Sequence, residues 1–174
     1  MHMLSWLATS GTAAIVEFPG VLYRGGAEQK IREYLISNNY VDTVIQLPAN
    51  LFFGVTIATC IIVLKKSKAD SNILFIDASN EFIHEGNKNK LSEENIGKIY
   101  QTHMDRAEVQ HFSKLVSNDE VLANAANISV SSYVEQEDTT EKFEIADLNQ
   151  QIADLVERQN QLRAEIDQII AEIN

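Results

Sequence analysis

The stretch "NLFFG", residues 50–54, sets two large aromatic side chains, Phe52 and Phe53, beside a glycine. Paired aromatics in a loop can wall a site for a planar ligand or a nucleic-acid base, because each ring offers a π face and keeps water out. They can equally be ordinary core packing, and residue types alone leave both readings open. A second candidate is Arg24, which follows Tyr23 just after the apolar run ending at "FPG", residues 18–20. If that run is a strand of a parallel sheet, Arg24 stands at its carboxyl edge, where open α/β sheets bind ligands. The plainer reading of Arg24 is a solvated charge at a helix start.

The other reactive residue types do not add up to a catalytic set. His2, His84, His103 and His111 have no metal-ligand spacing with one another or with Cys60. Cys60 lies in an apolar, β-branched run, where a buried structural thiol is expected rather than a nucleophile. As the sole cysteine it can form no disulfide within the chain, which fits a reducing compartment. Glu93-Glu94 reads as a helix start and Glu137-Asp138 as part of a solvated linker. Gly25-Gly26 lacks the rest of a G-x-G-x-x-G nucleotide loop. "NIS" at Asn127 matches a glycosylation pattern by chance, since the N-terminus has no basic region of a secretory signal.

The aromatic pair lies inside a long charge-free stretch, "TVIQLPANLFFGVTIATCIIVL", residues 43–64. A membrane-spanning helix needs about 20 apolar residues, and this stretch is long enough. Gln46, Pro48, Asn50 and Gly54 interrupt it, and Pro48-Ala49-Asn50 is a turn signal. Two buried strands, residues 40–47 and 55–64, joined by the loop that carries Phe52 and Phe53, satisfy those breakers. Upstream, residues 11–18 predict a strand and residues 27–36 a helix whose buried face is Ala27, Ile31, Tyr34 and Leu35. Residues 72–78 predict a fourth strand. The order β-α-β-β-β implies an α/β sheet, its first two strands parallel through a right-handed crossover. The apolar start, "MHMLSWLATSGTAAIV", reads as the end of a helix running into a strand, as if the chain began in mid-domain.

Beyond residue 78, "HEGNKNK" predicts a polar turn. Ser92 is the expected N-cap of a helix with acids in its first turn, and Leu91 and Ile96 have the spacing of a hydrophobic staple. Ile96, Ile99, Tyr100 and Met104 form its apolar face. Residues 112–122 predict a further helix, "NISVSSYV" an extended segment and "EQEDTTEK" a charged linker. Then Ile145, Leu148, Ile152, Leu155, Gln159, Leu162, Ile166, Ile169 and Ile173 recur alternately every three and four residues. That is an a/d heptad seam with Gln159 as its polar position. The seam must be covered, by its own domain or by partner helices, and the linker favours partners.

A chain of 174 residues suits one domain or one and a half. Its net charge of −11 is uneven: residues 135–174 hold 11 acidic and 3 basic side chains, the first 134 hold 14 and 11. An acidic tail binds phosphates poorly, so nucleic-acid contacts fall to the N-terminal part or to partner subunits.

Together, "GVLYRGGAEQKIREYLI", "VDTVIQLPANLFFGVTIATCIIVLKK", "ILFIDAS", "NKLSEENIGKIY" and "SVSSYVE" resemble the modification (M) subunit of type I restriction-modification systems, over nearly the whole chain and in that subunit's C-terminal part. These are adenine-N6 DNA methyltransferases that use S-adenosylmethionine. The resemblance implies an α/β fold: the C-terminal half of a Rossmann-like methyltransferase sheet over residues 1–78, a helical extension over 79–134, and over 135–174 a linker and a long coiled-coil-type assembly helix. The first strand is then the fifth of that sheet, and the two strands of the charge-free stretch are its sixth and seventh, the seventh antiparallel. The family's glycine cofactor motif and its Asn-Pro-Pro-aromatic catalytic motif lie upstream. The resemblance therefore implies no catalytic or cofactor-binding residue here, no S-adenosylmethionine held by this fragment, and no activity alone.

It also puts the aromatic loop near the flipped adenine, with Phe53 first and Phe52 second as the stacking ring, and Arg24 near the DNA backbone or the active-site edge. The implied partners are DNA, the specificity (S) subunit, whose helices would meet the seam, and the restriction (R) subunit; the implied location is cytoplasmic, with no membrane role. A half sheet would leave an edge open, which a second copy could cover. One departure is Ala125-Ala126, where the family pattern calls for an aromatic residue next to an asparagine. The alternative function is a non-enzymatic coiled-coil module or homo-oligomer.

Overall fold

The computed structural model describes residues 1–136 and the helix of residues 145–173. The chain divides into two units, Met1–Glu137 and Asp138–Asn174. In the first, α1 (His2–Trp6) leads into β1 (Thr12–Glu17), a 3-10 turn (Pro19–Leu22), α2 (Ala27–Ser37), β2 (Val41–Gln46), β3 (Cys60–Lys65) and β4 (Asn72–Asp77). A hairpin of β5 (Ile83–Glu85) and β6 (Lys88–Lys90) follows, then α3 (Glu93–Asp105), β7 (Ser113–Ser117), α4 (Asn118–Ala123) and a second 3-10 turn (Val130–Ser132). α5 (Ile145–Ile173) belongs to the second unit.

Five strands form one mixed sheet in the order β1-β3-β2-β4-β7. β3 is antiparallel to both β1 and β2, so β1 and β2 run the same way with β3 inserted between them. β4 is parallel to β2, and β7 is antiparallel to β4. The central strands β2 and β4 are buried along nearly their whole length, which is why they read as continuous apolar runs. One face packs Ile36, Val44, Phe75, Val121 and Ile128 into a core; the other packs Ile45, Leu74, Ile76, Ile99 and Phe112. The sheet is thus the middle of three layers. Among the described residues β1 has a neighbour on one side only.

Several expectations need correction. The strand expected over residues 55–64 is Cys60–Lys65, because residues 47–59 arch away from the sheet before Leu47 N–H donates to the Thr59 carbonyl at 2.9 Å. The helix expected over 112–122 is β7 followed by α4: pairing with the open side of β4 takes Ser113–Ser117, and the Ser117 hydroxyl then caps α4 at Glu120 N–H. Residues 79–134 therefore contribute strands as well as helices. "HEGNKNK" is the β5–β6 hairpin, turning at Gly86 with φ +64°. The segment expected to be extended around "SVSSYV" contains the second 3-10 turn, with Tyr133 O–H donating to the Asn127 carbonyl at 2.6 Å and its ring stacked on Phe75.

The two helix faces also differ. On α2 the buried residues are Arg32 and Ile36, while Ile31 and Tyr34 are exposed. The Arg32 guanidinium turns inward to donate to the carbonyls of Val21 (2.9 Å) and Ala126 (2.7 Å), and the helix rotates to let it. Ala125 and Ala126 both have positive φ, +53° and +52°, a left-handed corner that this arginine pins. On α3 the buried residues are Ile99 and Thr102, with Ile96, Tyr100 and Met104 exposed. Ser92 caps α3 as expected, in a capping box closed by Asn95.

α5 is a continuous helix of 29 residues, about 44 Å long at 1.5 Å per residue. Its seam residues Ile152, Leu155, Leu162 and Ile166 are exposed, as is Gln159. The side chains of Ile145, Leu148, Ile169 and Ile173, and most of the linker, lie outside the described residues. No helix among the described residues is long and apolar enough to cross a membrane.

Candidate functional site

The carboxyl ends of β1, β2 and β4 define one edge of the sheet. β1 runs into Phe18-Pro19-Gly20, and β2 runs into the long loop that holds Phe52 and Phe53. The loop closes in a tight turn where Val55 N–H donates to the Phe52 carbonyl at 3.2 Å and Gly54 takes φ +71°. That glycine occupies the third turn position, which demands a left-handed residue. Phe53 at the tip is therefore 94% exposed, while Phe52 at the turn's start is 42% exposed.

Phe52 lines a cavity of about 170 Å³ with Val16, Glu17, Phe18, Val55 and Thr59. Thr59 is 4% exposed, and its hydroxyl has no hydrogen-bond partner among the described residues. The cavity thus has two aromatic walls and a largely apolar lining, with the sealed Thr59 hydroxyl behind it, a setting suited to the face of a flat ring. A second, larger hollow of about 530 Å³ lies on the other side of Phe18, lined by Tyr23, Arg24 and Ile57 among others. The Arg24 guanidinium lies where a side chain on Gly20 would reach, and 3.9 Å from the Glu28 carboxylate. Arg24 and Phe52 are thus neighbours around Phe18, whereas Phe53 stands outside both hollows. Lys88 Nζ sits 4.3 Å from the centroid of the Phe53 ring.

Sequence reasoning missed Thr59, Lys88 and Asn89. Asn89 donates to the aromatic loop through its side chain at Ala49 O (2.9 Å) and its backbone N–H at Asn50 O (3.2 Å). Nothing local in "NKNK" announces a contact nearly forty residues away. Cys60 is a buried thiol bonded to the Glu17 carbonyl, and burial, then the Glu17 charge, pushes it up to about 11. At neutral pH that keeps it in the thiol form. No cluster of metal-ligating side chains occurs among the described residues.

The opposite, amino edge carries a separate polar network. Arg106, in the left-handed C-cap of α3, donates to Asp42 (3.1 Å), Asp70 (3.3 Å) and the Asn72 carbonyl (2.9 Å). Lys68 donates to the carbonyls of Val41 and Asn72, both at 2.7 Å. This network ties α3 to the sheet and lies at the other end of the strands from the aromatic cavity.

A mixed sheet with an antiparallel strand inserted beside the carboxyl-edge site is the arrangement of a methyltransferase domain, and the chain belongs to the N-6 DNA methylase family, whose model matches residues 1–142. It is 45% identical to the type I restriction enzyme MpnII methylase subunit of Mycoplasma pneumoniae, over 99% of this chain and 32% of that protein. It is 35% identical to the MjaVIII methylase subunit of Methanocaldococcus jannaschii, over 83% of this chain and 26% of that protein. Among solved structures, the type I restriction-modification methyltransferase subunit from Streptococcus thermophilus superposes with a TM-score of 0.75 at 39% identity, covering 77% of this chain and 29% of that one. The type I restriction enzyme EcoKI M protein shares the fold, with a TM-score of 0.62 at 14% identity over 79% of this chain and 37% of that one. The chain spans about a third or less of the length of the curated relatives it matches.

Proposed function

We propose that the chain supplies the target-base side of an adenine-N6 DNA methyltransferase, as part of the modification subunit of a type I restriction-modification system, and that it is inactive alone. The observation that carries this reading is the pair of rings on one loop at the carboxyl edge, Phe53 94% exposed at its tip and Phe52 walling a cavity with Phe18. An enzyme acting on the adenine amino group must take the base out of the duplex, and an aromatic face compensates part of the lost stacking. Phe53 is the first candidate for that face and Phe52 the second. Arg24 borders the neighbouring hollow, where it would meet the DNA backbone.

Such enzymes take their methyl group from S-adenosylmethionine. Gly25-Gly26 before the α2 start lacks the rest of a glycine cofactor loop, so the residues here do not fit that group. In this reading the cofactor site lies in other parts of the longer enzyme. Residues 1–78 together with β7 supply strands of the methyltransferase sheet, the rest of residues 79–134 buttresses it, and residues 135–174 form a linker and an assembly helix. The exposed seam of α5 is the surface for helices of the S subunit, with the R subunit and DNA joining the assembled complex in the cytoplasm. The open side of β1 is where further strands of the enzyme, or a second copy of this chain, would pair.

The test is Phe53→Ala in the complete, assembled methyltransferase. Stacking is worth about 1–3 kcal/mol per base, so turnover should fall roughly 5- to 150-fold with little loss of stability. Equal methylation rates for variant and wild type would remove the stacking role.

A further inference from the structure

The aromatic loop leaves the sheet at Leu47 and returns at Thr59, and its tip is held by the β5–β6 hairpin. Asn89 grips the loop backbone twice, through its side chain at Ala49 O and through its own N–H at Asn50 O. Asn50 is itself left-handed, with φ +58°, so the grip falls where the loop bends. One residue away, Lys88 places its ammonium over the ring of Phe53. The hairpin that presents both residues is fixed in its own right. Glu85 and Lys90 pair across it at 3.1 Å, and it runs straight into the Ser92–Asn95 capping box of α3. Asn95 in turn donates to Glu81 just before the hairpin, at 3.1 Å, and Lys98 also bonds Glu81. Both ends of the hairpin are therefore anchored to one helix start.

We propose that this hairpin is the positioning element of the aromatic loop, with Asn89 fixing its backbone and Lys88 holding the Phe53 ring until a base replaces it. The role of the loop rests on the target-base reading above; the grip itself does not. A long exposed loop would otherwise sample many arrangements, and holding the rings in one removes that entropy before the ligand arrives. A cation over an exposed ring binds it more weakly than a stacked base does, so the base displaces Lys88 rather than competing in vain. The freed ammonium then lies beside the extruded nucleotide, within reach of its phosphate.

The 174-residue chain, labelled with para-fluorophenylalanine, gives a fluorine NMR resonance for Phe53 that is assigned by its loss in Phe53→Leu. Lys88→Met should shift that resonance, and Lys88→Arg, which keeps a cation over the ring, should restore it. Asn89→Asp keeps the side chain's shape but turns an acceptor toward the Ala49 carbonyl; amide exchange across residues 49–59 should rise about tenfold with the rest of the chain unchanged. An unmoved resonance in Lys88→Met overturns the lysine's part, and unchanged exchange in Asn89→Asp overturns the asparagine's. In the assembled methyltransferase, Asn89→Asp should lower kcat more than it raises KM for DNA. If Phe53→Ala cuts turnover and Asn89→Asp does not, the positioning role fails while the target-base reading stands. If Phe53→Ala is silent, that reading fails whatever the spectra report.

Discussion

Replacing Thr59 by valine is expected to stabilise this chain and, under the proposed function, to weaken the methyltransferase of which it would form part. The Thr59 hydroxyl is buried without a partner among the described residues, and such a group costs about 1–3 kcal/mol. Valine matches threonine in shape and leaves the main-chain carbonyl free to accept from Leu47 N–H (2.9 Å) and the Gln46 side chain (3.3 Å) as before. The second methyl of valine must also fit where the hydroxyl sat, so the gain belongs at the low end, about 1 kcal/mol. For a domain of this size that raises the thermal midpoint by roughly 2–4 °C. Thermal and urea unfolding of wild type, Thr59→Val and Thr59→Ser, followed by circular dichroism, read the shift. If a base entering the cavity draws this hydroxyl to its edge, the same change in the assembled methyltransferase removes one hydrogen bond, worth about 0.5–1.5 kcal/mol, and kcat/KM should fall roughly 2- to 10-fold. Thr59→Ser keeps the hydroxyl and should retain activity. A structural threonine would show the reverse pattern: a destabilised Thr59→Val with normal methylation would mean that the hydroxyl already has a partner and that the cavity is not the base site.

Asp42→Ala removes one of three acceptors of the Arg106 guanidinium and leaves Asp70 and the Asn72 carbonyl, so urea unfolding should show a loss of about 1.5 kcal/mol; no loss would mean those two acceptors suffice. Burial pushes the Lys68 ammonium down to about 8, with the Asp42 charge opposing that shift. Between pH 8 and 9 the unfolded chain therefore binds more protons at this residue than the folded one, so its contribution makes stability rise with pH. Above pH 9 the raised Cys60 thiol acts in the opposite sense, so the rise should be confined to that window and vanish in Lys68→Met. In α5, Ile152→Asp and Ile166→Asp place charges on the exposed seam and should abolish co-purification with the S subunit; unchanged co-purification would remove the seam from that interface.

Periodicity and breaker residues made the strands of the charge-free stretch legible, because a buried strand needs a β-branched run and Pro48, Asn50 and Gly54 cannot continue one. The same local logic placed the Ser92 cap and the helical spans of α2 and α5. It failed where the answer lay in a distant part of the chain. β7 has the composition of a helix and became a strand because β4 offered an unpaired side. α2 turned its arginine inward because the carbonyls of Val21 and Ala126 needed a donor.

The candidate site divides in the same way. The residues themselves supply two adjacent aromatics, a turn glycine and a nearby arginine, since these depend on side-chain chemistry and on backbone freedom at one position. Which ring faces a cavity and which faces solvent depended on a turn closing over Gly54, and the free hydroxyl of Thr59 on a strand beginning five residues later than its apolar run. The grip of Asn89 depended on a hairpin folding back across the sheet edge. Local pattern is written in the neighbours of each residue, and the sequence alone determined it. Contacts between segments form only when the whole chain minimises its exposed apolar area and unpaired polar groups together, and only the tertiary structure decided those.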